Sequence, residues 1–164
     1  MMNERTKTYI AGDWTGDNNA ITQLYYWANN RMLNNDFQDA HEDIQSKDSS
    51  LNCSIKKSLG KRLDISHTFV LVVGNDTISL RAGECSYCEY YNSCTDTSNK
   101  SYIEYECDKA VQDKLKIIVL YNSTTVNRQK CPASVMYAGT HSHMIYIVNG
   151  KYEWDYWSVN NAFR

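Results

Sequence analysis

One uncharged run limits the folds open to this chain more than any other feature. Thr68-Phe69-Val70-Leu71-Val72-Val73 is closed by Gly74-Asn75. A strand with one wet face alternates apolar and polar residues. A strand apolar throughout must be covered on both sides, which marks the centre of a parallel sheet. Lys116-Ile117-Ile118-Val119-Leu120-Tyr121 is a second run of this kind. Parallel neighbours need long crossovers, usually helical, and helical patterns are present.

Ile21, Leu24, Tyr25, Ala28 and Met32 recur with helical period behind Asn18 and Asn19, either of which can cap. Ile55, Leu59 and Leu63 form a second stripe, capped from Ser50 or Asn52, and Tyr102, Cys107, Ala110 and Val111 a third. Thr8–Ala11 is short and β-prone, and Asp36–Asp39 reads as a brief second strand before a polar loop over 40–50. His143–Val148 reads as a last strand, Asn149-Gly150 as a turn, and Asp155 as the cap of a helix bearing Tyr156, Val159, Ala162 and Phe163. Strands and helices thus alternate, which predicts an α/β fold: about five mostly parallel strands between helices on both faces, three layers in all. The 164 residues suit a single domain, 1–164. Residues 79–100, rich in Cys, Tyr, Ser and Asn and lacking periodicity, read as an insertion.

The formal charge of −2 and the lack of a basic stripe argue against nucleic acid as a partner. Lys56, Lys57, Lys61 and Arg62 form the densest basic cluster and read as the wet face of a helix. No apolar run approaches the roughly 20 residues of a membrane span. Met1–Lys7 lacks a signal peptide's apolar stretch, so the expected location is the cytoplasm, away from any membrane.

Open α/β sheets bind ligands beyond the C-terminal ends of their strands. Asp13, Trp14 and Asp17 follow the first strand, Asp39, His41 and Glu42 the second, and Asn75 and Thr77 the third. Glu104 and Glu106 lie about 200° apart on a helix, so only one can face the sheet. Glu106 shares the face of Tyr102 and Ala110, and Glu104 falls toward solvent. No dinucleotide fingerprint, phosphate loop or nucleophile elbow is present. His141-Ser142-His143 places two imidazoles on one side of an extended segment, a weak metal pattern.

Tyr102-Ile103-Glu104-Tyr105-Glu106-Cys107, following the Val70–Gly74 strand, resembles the aromatic-aliphatic-x-aromatic-Glu-aliphatic segment of TIR and TIR-like domains. Cys53–Leu59 with Ile65–Gly74 resembles the helix and strand of the bacterial TIR-like branch, and Lys116–Val119 its next strand. Within the family the resemblance points to the ThsB branch of the Thoeris anti-phage system. It implies a flavodoxin-like fold and an enzyme that cleaves NAD as its substrate, with Glu106 catalytic and no further cofactor. Asp13, Trp14, His41, Asn75, Thr77 and Tyr102 would hold the substrate. It further implies a diffusible ADP-ribose-derived signal, cyclic or conjugated, that activates an effector protein, and self-association of the enzyme. Tyr9–Trp14 departs from the family's usual first strand and loop, and the insertion separates the Gly74 strand from the Glu106 helix. Two alternatives stay open: a non-catalytic TIR-like or receiver-like interaction module, and an enzyme resembling nucleoside deoxyribosyltransferases.

Cys85-x2-Cys88 with Cys94 nearby has the spacing of half a zinc site. A fourth ligand would have to come from Cys107, Cys131, His141 or His143. With a single C-x2-C, reduced thiols are the preferred reading, ahead of zinc or a disulfide. In any of these states the insertion is expected to form a flap over the cleft mouth, without a catalytic role.

Overall fold

The computed structural model describes residues 7–33, 59–79 and 101–164, and the backbone of 37–38. In chain order the elements are β1 (Lys7–Ala11), α1 (Asn18–Asn29), β2 (Phe37–Gln38), α2 (residues 59–64) and β3 (Ser66–Val73). Then come α3 (Tyr102–Gln112), β4 (Lys116–Tyr121), β5 (Thr140–His143), β6 (Ile145–Val148), β7 (Lys151–Trp154) and α4 (Tyr156–Ala162).

Five strands form one sheet in the order β2-β1-β3-β4-β5, each parallel to its neighbours. This is the flavodoxin-like order. β3 lies at its centre, with Phe69 to Leu71 aligned to Tyr9–Ala11 on one side and Ile117–Val119 on the other. Its side chains divide by parity. Phe69, Leu71 and Val73 join Leu59, Leu63, Ile103, Cys107 and Ala110 on the α2/α3 face. Val70 and Val72 join Ile21, Leu24, Val159 and Phe163 on the α1/α4 face. The uncharged run is therefore a strand with two dry faces, as its composition requires.

Local chemistry sets the helix ends. Ser101 Oγ accepts the Glu104 N–H at 3.1 Å and starts α3, and Asp155 Oδ1 accepts the Ser158 N–H at 3.0 Å and starts α4. At α1 the capping position is Asp17, not Asn18 or Asn19, and its side chain makes no cap bond. The Asp17 carboxylate is instead engaged by Asn122 Nδ2 at 2.9 Å.

The expected final strand His143–Val148 is two elements. Met144 N–H donates to Tyr121 O at 2.9 Å and ends the pairing with β4, after which Ile145 opens an antiparallel β6–β7 hairpin closed by Asn149-Gly150. An unbroken apolar stretch in sequence conceals this departure from the sheet. The expected cap at Ser50 or Asn52, Ile55, the polar loop over 40–50 and nearly all of the 79–100 insertion lie outside the described residues.

Gly139 enters β5 at φ +66°, and a Cβ there would sit 2.0 Å from the Ile117 carbonyl oxygen. The clash is with the backbone of β4, which cannot yield without disturbing the sheet. Gly139→Ala is expected to lower stability by about 2–4 kcal/mol, read as an earlier midpoint in urea unfolding with an unchanged slope.

Candidate functional site

Two polar features stand out from the apolar layers. The first is Glu106, on the sheet-facing side of α3. Its side chain is fully buried, while Glu104, whose N–H the Ser101 cap accepts, is half-buried. Tyr9, in the middle of β1, donates its hydroxyl to Glu106 Oε2. Glu106 Oε1 is buried with no partner among the described residues. Burial raises the carboxyl pKa to about 8 against the opposing pull of the Tyr9 bond. Burial, the Glu106 charge and their mutual bond also push the Tyr9 hydroxyl well above its usual range. At neutral pH the carboxyl is therefore mostly protonated and neutral.

The second feature is a cleft of about 130 Å³ at the C-terminal edge of β1, β3 and β4, lined by Asp13, Gly16, Asp17, Gly74, Asn75, Asp76 and Asn122. A Cβ at Gly74 would lie 2.1 Å from Asp17 Oδ1, so any larger residue there would displace the Asp17 carboxylate. Burial raises the Asp17 pKa, the Asn122 bond opposes the rise, and the nearby Asp13 and Asp76 add to it. Asn122 Nδ2 also donates to Asn19 Oδ1 at 3.0 Å. Thr77 Oγ1 accepts the Gly74 N–H at 2.8 Å and shapes the turn from below. Lys130 Nζ reaches Asn75 Oδ1 at 3.0 Å and supplies a cation at the rim. Three carboxylates, two side-chain amides and an ammonium at the rim of a small polar cleft suit hydroxyl-rich ligands.

The residues expected to share one site are divided by the structure. Asp13 and Asn75 line the cleft, and Thr77 supports it. Trp14 packs its ring on Tyr25, 5.9 Å between centroids, on the α1/α4 face, which is the face opposite Glu106. Tyr102 packs against the α2/α3 cluster and, like Glu106, is not a lining residue of the cleft. The parity of the sheet explains the split: a loop after β1 can turn its side chain over either face. His41, Cys85, Cys88 and Cys94 lie outside the described residues.

The two histidines of His141-Ser142-His143 have separate partners. His141 Nδ1 accepts the Tyr121 hydroxyl at 2.7 Å while Nε2 faces the Val135 and Ala138 carbonyls at 3.1 and 3.0 Å. Burial and the Arg128 charge hold this imidazole below its usual pKa. His143 Nε2 lies 2.8 Å from Asp155 Oδ2. Cys107 and Cys131 are free and buried in the α2/α3 cluster, with thiol pKa values raised chiefly by burial. Among the described residues no group of three or more His, Cys, Asp or Glu could hold a metal ion. Nor is any helix among them long and apolar enough to cross a membrane.

Sequence reasoning missed Tyr9, since nothing distinguishes a tyrosine that bonds a carboxyl from one that merely fills a strand. Asn122 was findable: it directly follows the apolar run Lys116–Tyr121, by the same edge rule that gave Asn75.

Residues 9–82 match the family model of the Thoeris protein ThsB, TIR-like domain. The ThsB TIR-like family is the one that the sequence patterns resemble. The match includes Tyr9, the cleft residues through Asp76, and all of β3. It ends before α3, so Glu106 stands on its geometry and on its local pattern. No curated protein matches the chain.

The raised Glu106 pKa has a measurable consequence. An unfolded Glu titrates near 4.5 and the folded one near 8, so the folded state holds the extra proton between these values. The stability contribution is complete below the unfolded pKa and is lost as pH rises through the folded one. Wild-type stability should fall between those pH values by up to about 1.4 kcal/mol per pH unit. Glu106→Gln should remove that part of the slope, as read by urea unfolding at a series of pH values.

Proposed function

We propose that this Thoeris-type TIR-like protein cleaves the nicotinamide–ribose bond of NAD, with Glu106 stabilising the ribosyl cation. The observation that carries this reading is the state of the carboxyl: wholly buried, perturbed to a pKa of about 8, and with one oxygen unpartnered among the described residues. A carboxyl kept for structure seats both oxygens, because an unpaired buried polar atom costs about 1–3 kcal/mol. Strongly shifted, under-satisfied titratable groups cluster at functional sites.

The chemistry asks little else of the protein. The C1′–N1 bond breaks with its electron pair moving onto the nicotinamide ring, which leaves neutral. No general acid is needed for that departure. Positive charge develops on the ribose, as in glycoside cleavage, and an adjacent carboxylate stabilises it. The cationic ring of arriving NAD would itself favour loss of the Glu106 proton, since an opposite charge nearby lowers a carboxyl pKa. Tyr9 would hold the carboxylate by its hydroxyl. The cleft with Asp13, Asn75 and Asn122 suits the ribose hydroxyls, and Lys130 suits the diphosphate. Water as acceptor yields ADP-ribose and a proton; a hydroxyl of the same molecule yields a cyclic product. Such a product fits a diffusible signal to an effector protein in the cytoplasm.

The complete burial of Glu106 favours a second reading, a non-catalytic interaction module in which the carboxyl never meets solvent. On the enzymatic reading, α3 must move from β1 before the substrate reaches Glu106, a step that ordered self-association could drive. Incubation with NAD over a range of protein concentrations, followed by mass spectrometry, separates the two. The expected result is release of nicotinamide by the wild type and a loss of about 10²–10³ in rate for Glu106→Gln. Equal turnover by the Gln variant, or no nicotinamide at any concentration, supports the interaction module. Deoxynucleosides in a parallel incubation test for base exchange.

A further inference from the structure

Among the described residues the β6–β7 hairpin has one edge covered at Ile145 alone and one edge with no partner, and the second is complementary to itself. Asp155 N–H donates to Met144 O at 2.7 Å, which continues the β6–β7 ladder by one pair and fixes its parity. Antiparallel pairs alternate between hydrogen-bonded and non-bonded. The bonded pairs are therefore Met144/Asp155, Tyr146/Glu153 and Val148/Lys151. The backbone groups of Ile145 and Ile147 point away from β7, and those of Tyr152 and Trp154 away from β6.

The β6 side is partly covered, because Ile145 N–H donates to Ser123 O at 3.2 Å. The β7 side is not. Among the described residues no strand pairs with its outer edge and no other backbone bond satisfies Tyr152 or Trp154. Lys151, Tyr152 and Glu153 are exposed, Tyr152 by 73%. Natural edge strands are protected by shortness, charge, proline or a bulge. β7 is short and charged, but its one lysine and one glutamate, two residues apart and hence on the same face, are complementary to a second copy of the same strand.

We propose that β7 pairs antiparallel with β7 of a second copy, about a two-fold axis at Tyr152. Parity allows this register: Tyr152 N–H and C=O point outward, so the two copies exchange both bonds there. Centring on Glu153 is forbidden, since its backbone is committed to Tyr146. With Tyr152 at the centre, Lys151 lies opposite the partner's Glu153 and Glu153 opposite the partner's Lys151. These are non-bonded pairs, in which side chains approach most closely. On the other face Ile147, Tyr152, the partner's Tyr152 and the partner's Ile147 form one apolar row across four strands. Ile147 is 56% exposed in the single copy. An isologous contact of this kind closes on itself and makes a dimer. It joins two hairpins, each marginal as a two-stranded unit, into a four-stranded sheet.

A charge swap tests this register on the full chain by sedimentation velocity, from about 5 to about 200 µM protein. The wild type is expected to dimerise with rising concentration, more weakly as salt is added. Lys151→Glu places like charges opposite each other twice and should weaken the dimer about tenfold or more. The double variant Lys151→Glu/Glu153→Lys restores both pairs and should restore the dimer. Tyr152→Pro removes an outward N–H that the hairpin does not use, so it should give a monomer with unchanged circular dichroism. A wild type monomeric at the highest concentration overturns the proposal. So does a dimer that Lys151→Glu leaves equally tight.

Discussion

A strand without a wet face obliges the rest of the chain to supply two apolar layers, and most of this fold follows from that obligation. Residues 66–73 of β3 alternate their side chains between the α2/α3 cluster and the α1/α4 cluster. Each helix stripe is matched to one layer: Ile21 and Leu24 below, Ile103, Cys107 and Ala110 above. Because β1 and β4 flank β3 in register, their C-terminal ends meet at one edge. Gly74 and the turn held by Thr77 leave room there for a cleft, and the Asp17 carboxylate occupies the space that any side chain on Gly74 would take.

The same dry layer that stabilises the sheet makes Glu106 costly. A charge in that position would lose its hydration with a single hydroxyl in return, so the proton remains. The carboxyl lies between α3 and the sheet, at Tyr9, rather than in the open cleft at the sheet's edge. The two polar features are thus separated by sheet geometry, and chemistry that used both would require the α3 layer to shift. The closed carboxyl is a resting arrangement on the enzymatic reading and a permanent one on the interaction reading.

The core of the fold was legible because it obeys periodicity. β3 and β4 show as continuous apolar runs, α1 and α3 as helical stripes, and Asp155 as a cap. The C-terminal part was less legible. β5, Thr140–His143, is a polar four-residue edge strand that resembles a loop, and the apolar residues after it belong to a hairpin rather than the sheet. The site was half legible. Strand ends identify Asp13 and Asn75, and the helix angle separates Glu106 from Glu104. Which face a loop tryptophan covers, and which tyrosine meets a carboxyl, depends on packing between segments distant in sequence, which no local pattern encodes. The family match covers the first half of the fold, where those patterns are strongest.

Asp155 performs three tasks at one position. Its N–H extends the hairpin ladder to Met144, Oδ1 caps α4, and Oδ2 meets His143 of β5 and the Ser158 hydroxyl. At the far end of α4, Lys116 Nζ at the start of β4 holds the Phe163 carbonyl at 2.9 Å. Hairpin, helix and edge strand therefore cannot fray one at a time, because loosening any of them frees the group that anchors the others. The last 25 residues are expected to open as one unit, with amides that exchange with solvent together rather than in sequence from the terminus.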